Sequence, residues 1–142
     1  MPLASVWLIR AALLHLATAA VLGAMYLAWK AEGWFAFAPS HRQMHVEQML
    51  VGWMVQLVIG VGFWILPRTE PTVAQRSGPL IWIVFGLLNA GVLLAAWGSA
   101  PEYPAWVSPA GRTLEMAAAL LFAIHAWRRQ RPYTRETKRI LV

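Results

Sequence analysis

The stretch HVEQMLVGWMVQLVIGVGFWILPR, residues 45–68, decides how the chain is read. It opens on a histidine, a glutamate and a glutamine, then runs apolar to Pro67 with Gln56 as its polar interruption. A helix needs ~20 residues to cross the hydrocarbon core of a bilayer, and this run supplies them. At about 100° per residue, His41, His45, Met49, Gly52, Gln56 and Gly60 fall on one helical stripe. Polar and ionisable groups are costly against lipid, so the stripe is expected to face a partner helix or an internal cavity.

Apolar segments at about 3–29, 41–66, 79–97 and 109–130 use most of the chain. With 59% hydrophobic and 13% charged residues in 142, this is the composition of an integral membrane protein. The expected fold is all-α: four transmembrane helices joined by short loops, up-down-up-down, in a single domain over 1–142 with a basic tail at 131–142. The first apolar stretch is longer than a signal-peptide core and follows no basic run, so a cleavable leader is not expected.

Local punctuation sets the expected boundaries. Ser40 and Gln43 form an S-x-x-Q capping box, which would put His41 at the first helical position. The second helix should stop at Pro67, and Pro79 suits the first turn of the third. Gly98, Ser99, Ala100 and Pro101 should end that helix, and Pro109 should open the fourth. Tryptophans at 7, 29, 64, 82, 97, 106 and 127 fit an interfacial belt, and the loop with Trp34, Phe35 and Phe37 is expected to dip into the interface.

Charge gives the orientation. Arg68 and Arg76 lie between the second and third helices, and Arg128, Arg129, Arg131, Arg135, Lys138 and Arg139 follow the fourth. By the positive-inside rule both termini are cytoplasmic, as in a bacterial-type inner membrane, and the loops around Gly33 and Tyr103 face outward. The net charge of +6 is read as topology and attraction to anionic headgroups, with no nucleic-acid partner. With no cysteine, structural disulfides, thiolate metal sites and iron–sulfur clusters held by this chain alone are excluded. HExxH, CxxCH, Walker and GxSxG patterns are missing too, and six acidic residues without one aspartate make a hydrolytic carboxylate dyad improbable.

Chemistry therefore concentrates on histidine. Imidazole ligates iron, copper or zinc, and His41 and His45 project from one helix face. A membrane-helix imidazole is also the usual axial ligand of a buried b-type haem. The glycines at 52, 60 and 62 admit close approach by a helix or by a flat cofactor. Two other readings stand beside haem: a cofactor-free oligomer in which the stripe is helix-packing glue, and a copper or zinc site on His41 and His45 around an oligomer axis. His15 and His125 would make a second, inner site, or else His15 bonds a neighbouring helix while His125 snorkels toward Trp127 and the tail. Asn89 is expected to bond across helices. Glu47 points about 200° away from the stripe, toward Arg42 or headgroup water, and Glu115 lies near the start of the fourth helix.

The run His45, Met49, Gly52, Gln56, Gly60, Phe63, Pro67 resembles the second transmembrane helix of the catalytic subunit of haem-copper oxidases and nitric oxide reductases. It is similar also to short four-helix bacterial proteins labelled oxidase subunit I-like. The resemblance implies a low-spin haem b ligated by His45, with His41 of the same or a neighbouring protomer as sixth ligand or copper ligand. Gly52, Gln56 and Gly60 would line the cavity, and the role would be electron transfer or binding of a diatomic gas. That family's large subunit has many more helices and several copper-ligating histidines, whereas this chain has histidines at 15, 41, 45 and 125. One copy lacks that copper site. The large subunit looks like three four-helix arcs, so a chain equal to one arc would rebuild the ring as a homotrimer. No catalytic residue is assigned.

Overall fold

The computed structural model describes residues 1–33, 39–66 and 71–129, and within them no side chain at 39, 71–77 or 128–129. The aromatic loop at Trp34, Phe35 and Phe37, the stop at Pro67, Arg68 and the basic tail lie outside the described residues. Every described element is helical: α1 (Leu3–Glu32), α2 (Pro39–Glu47), a π-helical segment (Gln48–Val55), α3 (Gln56–Ile65), α4 (Pro71–Trp97) and α5 (Val107–Arg129). α2, the π segment and α3 run on as one span. Four stretches are long and apolar enough to cross a membrane: Leu3–Glu32, Ser40–Ile65, Gly78–Trp97 and Val107–Trp127.

The ends follow backbone chemistry. α1 closes on Gly33, whose φ of 67° is left-handed and whose N–H bonds the Trp29 carbonyl at 2.8 Å. α4 closes at Trp97, and the Gly98 N–H takes the Leu94 carbonyl at 2.9 Å, as the Gly-Ser-Ala-Pro stop requires. Two expected starts are corrected. α2 begins at Pro39, so Ser40 sits inside the first turn and is buried instead of capping; proline suits that turn because its missing N–H would have no partner there. α4 begins at Pro71, which leaves Pro79 inside the helix. Pro79 marks the start of the apolar span at Gly78, not the start of the helix.

The bundle is two antiparallel hairpins, each zipped by glycine. α1 meets the second span at Gly23, Gly52 and Gly60, where an added Cβ would lie 2.8 Å from His45 Cε1, 2.7 Å from His15 Cγ and 2.9 Å from Leu8 Cβ. α4 meets α5 at Gly91 and Gly111, each lying directly against the other helix's backbone, and the Ser108 hydroxyl donates to the Ala95 carbonyl at 3.1 Å. Lipid offers no hydrophobic drive between helices, so such backbone approach is what holds each pair.

The hairpins meet across Leu8, Ile59, Phe63, Ile81, Leu88 and Ala118. The outer surface is the inverse of a soluble protein's: Leu14, Val58, Ile65, Leu120, Ile124 and Trp127 are exposed, as a lipid-facing surface demands.

Candidate functional site

The second span carries the polar residues singled out from the sequence, and its π segment decides where they point. The backbone N–H of Gln56 reaches back to the Val51 carbonyl, five residues away, instead of the usual four. Each turn there holds more residues, so side chains four apart stay in line where an α-helix would let them drift. Gln48, Gly52 and Gln56 are consequently all buried, Gln48 at 2% exposure and Gln56 at 0%. Met49, expected on the stripe, is only partly buried, and Gln48 takes the inward place.

Gln48 completes a polar cluster in the apolar interior. The His15 ring hydrogen-bonds Gln48 through Nδ1 and the Asn89 side-chain oxygen through Nε2 at 3.1 Å. Asn89 Nδ2 donates to the Phe85 carbonyl at 2.8 Å, so its Oδ1 is the acceptor and His15 Nε2 carries a proton. Nδ1 lies against Gln48 Oε1; in a neutral ring Nδ1 is an acceptor, and a half-turn of that amide would bring its N–H to it instead. Gln56 Nε2 donates to the Leu8 carbonyl at 3.3 Å and to Asn89 Oδ1 at 3.4 Å. With both nitrogens engaged, His15 is a bridge between the hairpins, the neighbouring-helix bond its sequence position implied. His125 is not brought to it: that ring lies against Phe63, centroids 5.9 Å apart.

His45 is held differently. Its Nδ1 donates to the Ala19 carbonyl at 2.8 Å, and the ring lies over Gly23, where the missing side chain of α1 makes room. A carbonyl only accepts, so the neutral ring has its proton on Nδ1 and a bare lone pair on Nε2. No hydrogen bond to Nε2 is found among the described residues, and His45 is partly exposed. Metal-ligating histidines carry this same arrangement, one nitrogen donating to a carbonyl while the other binds. His41, one turn nearer the helix start, is also partly exposed.

Gly52, Gln56 and Gly60 lie where α1 fills the space beside them: His15 stands against Gly52, and Leu8 and Ile9 against Gly60. Within one protomer they form a helix seam. Among the described residues no three His, Cys, Asp or Glu side chains gather closely enough to hold a metal ion.

Glu47 gives a correction. It was expected to reach Arg42 or headgroup water, yet it is 5% exposed and forms an ion pair with Arg112 of α5, Nη2 to Oε2 at 2.9 Å. Glu115, one turn further along α5, packs over Gly91 and buries an Oε1 with no hydrogen-bond partner among the described residues. The sequence reading passed over Gln48, Glu47 and Arg112 as a set. The available signal was that polar groups in apolar helices must find one another, and His15, Asn89 and Arg112 were the partners on offer.

In comparisons with family models, curated proteins and solved structures, nothing matches this chain, so the oxidase likeness rests on the residues of the second span alone.

Proposed function

We propose that this protein binds haem b in the membrane through His45, as a homo-oligomer acting in electron transfer or in binding a diatomic gas. The observation that carries the reading is the His45 ring: Nδ1–H fixed on the Ala19 carbonyl, with no hydrogen bond to Nε2 among the described residues, so that the neutral ring offers its lone pair there. The donor chemistry fits an axial iron ligand. The seam at Gly52 and Gly60 is filled by α1, so the group would lie at the protomer's edge beside His45, with a neighbouring copy closing it off. A trimer follows from the oxidase likeness, and His41 of the same or the next protomer is the second imidazole in reach of that edge. Haem b bound there would supply one-electron chemistry, or an open iron position if the sixth ligand is absent. The basic tail and the Arg68–Arg76 connection favour cytoplasmic termini in a bacterial-type inner membrane, where an electron-transfer partner would dock.

A second reading has its own support: a cofactor-free oligomer, favoured by the self-satisfied His15–Gln48–Asn89 cluster and the glycine seams, which need no ligand to explain them. Copper or zinc on His41 and His45 of several copies is the third.

An absorption spectrum of protein purified in mild detergent, oxidised and then dithionite-reduced, separates them. The expected result is a Soret band with sharp reduced α and β bands that vanish in His45→Ala, while far-UV circular dichroism stays helical. A colourless protein that takes up no added haemin refutes the haem reading, and bound metal without a Soret band favours the third.

A further inference from the structure

A cleft of about 450 Å³ opens between α2 and α5, lined by Arg42, Gln43, Val46, Glu47 and Arg112. We propose that it binds the phosphate group of an anionic phospholipid through the guanidinium groups of Arg42 and Arg112.

Two guanidiniums and the Glu47 carboxylate line this space; Arg112 is engaged by Glu47 and lies near the Glu115 carboxylate, so Arg42 is the cation left without a counter-charge among the described residues. Glu47 engages a single nitrogen of Arg112, and a guanidinium has five N–H donors in a fixed fork. The buried carboxylate thus orients Arg112, whose other donors make no hydrogen bond among the described residues. Arg42 is exposed and has no ion pair among the described residues. Two guanidiniums on one cleft match the oxygens of a phosphate, which arginine grips in bidentate fashion.

Depth selects a lipid over a soluble anion. Arg42 stands in the first turn of α2 and Arg112 in the second turn of α5, at the bundle end that carries the loop from Gly98 to Trp106. Below them the lining turns apolar: Val46 in the cleft, then Leu50 and Met116 a turn deeper, are 41%, 50% and 60% exposed. A headgroup between the arginines would send its acyl chains along that surface. The uncompensated Arg42 favours phosphatidylglycerol over zwitterionic phosphatidylcholine, although both contain a phosphodiester.

The test is thermal unfolding and native mass spectrometry of delipidated full-length protein titrated with phosphatidylglycerol, phosphatidylcholine or inorganic phosphate. The expected result is tighter binding of phosphatidylglycerol than of phosphatidylcholine, an affinity about tenfold lower in Arg42→Gln, and no stabilisation by millimolar phosphate. Arg42→Gln leaves the Glu47–Arg112 pair intact, so loss of binding there is not loss of fold. Arg42→Lys, which keeps charge without the fork, should fall between. Equal binding of both lipids, or undiminished phosphatidylglycerol binding in Arg42→Gln, overturns the proposal. An equal stabilisation by inorganic phosphate overturns the lipid as occupant.

Discussion

Replacing Gly52 with alanine tests the seam between α1 and the second span at its tightest point. The new Cβ would stand 2.7 Å from His15 Cγ, 2.9 Å from its Cβ and 3.0 Å from Nδ1, closer than carbon contacts permit. Relief requires His15 to move, and its ring is tied to Gln48 and Asn89. Overpacking a fitted interior costs about 1–3 kcal/mol. Each interhelical hydrogen bond in a membrane is worth ~0.6 kcal/mol on average and ~1.7 at most. Alanine's better helix propensity returns up to ~1 kcal/mol, which with two average hydrogen bonds at stake leaves a net loss of about 1–4 kcal/mol. Gly86→Ala is the control, because nothing lies within 4 Å of its added Cβ; it should be neutral or slightly stabilising. In a His15→Ala background the Gly52→Ala penalty should fall below about 1 kcal/mol, a coupling that a double-mutant cycle reads directly. Reversible unfolding in mixed detergent–SDS micelles, followed by circular dichroism, supplies the free energies. A Gly52→Ala protein within about 0.5 kcal/mol of the parent, or a penalty unchanged without His15, would refute the close contact.

The same assay checks four further substitutions. Arg112→Gln should destabilise by roughly 2–4 kcal/mol and Glu47→Gln by less, because the first strands a 95%-buried carboxylate and the second leaves an arginine whose side chain is 52% exposed and reaches water; equal losses would contradict the burial asymmetry. Asn89→Leu removes the acceptor of both His15 and Gln56 and should cost about 2 kcal/mol or more. Pro79→Ala should stabilise by up to about 3 kcal/mol, since Pro79 lies within α4 and denies a helical hydrogen bond to the carbonyl of residue 75; a loss of stability would mean the helix begins at Pro79 after all.

Four spans were legible in the sequence because bilayer thickness sets helix length, and an apolar run of that length is hard to mistake. Glycine and proline marked two ends correctly, at Gly98 and the opening of α5, where Pro109 falls in the first turn, whereas α1 was expected to stop at 29 and runs on to its cap at Gly33. The error at Pro79 has a physical source: proline is welcome in a first turn but tolerated further in, so it does not announce which it occupies. The polar interior was half legible. His15 and Asn89 read as interhelical partners, but Gln48 was hidden by the assumption of 100° per residue, which the π segment breaks. Glu47 was assigned to Arg42 or headgroup water because its true partner lies 65 positions later, a pairing that periodicity within one helix does not encode. The lone pair on His45 Nε2 depends on the Ala19 carbonyl of another helix, so only three-dimensional placement exposes it.

The division into two glycine-zipped hairpins bears on how the protein is made. Each hairpin places its own seam between helices adjacent in the chain, so α1 can close on the second span as soon as both have left the ribosome, before α4 exists. During that interval His15 has Gln48 and Gln56 has the Leu8 carbonyl, but both still lack Asn89, and Glu47 lacks Arg112. The early hairpin is therefore the stage exposed to quality control. A cell that fails to deliver the second hairpin would hold a half-protein with unpaired polar groups in the bilayer, which is the kind of substrate that membrane proteases and insertion chaperones recognise.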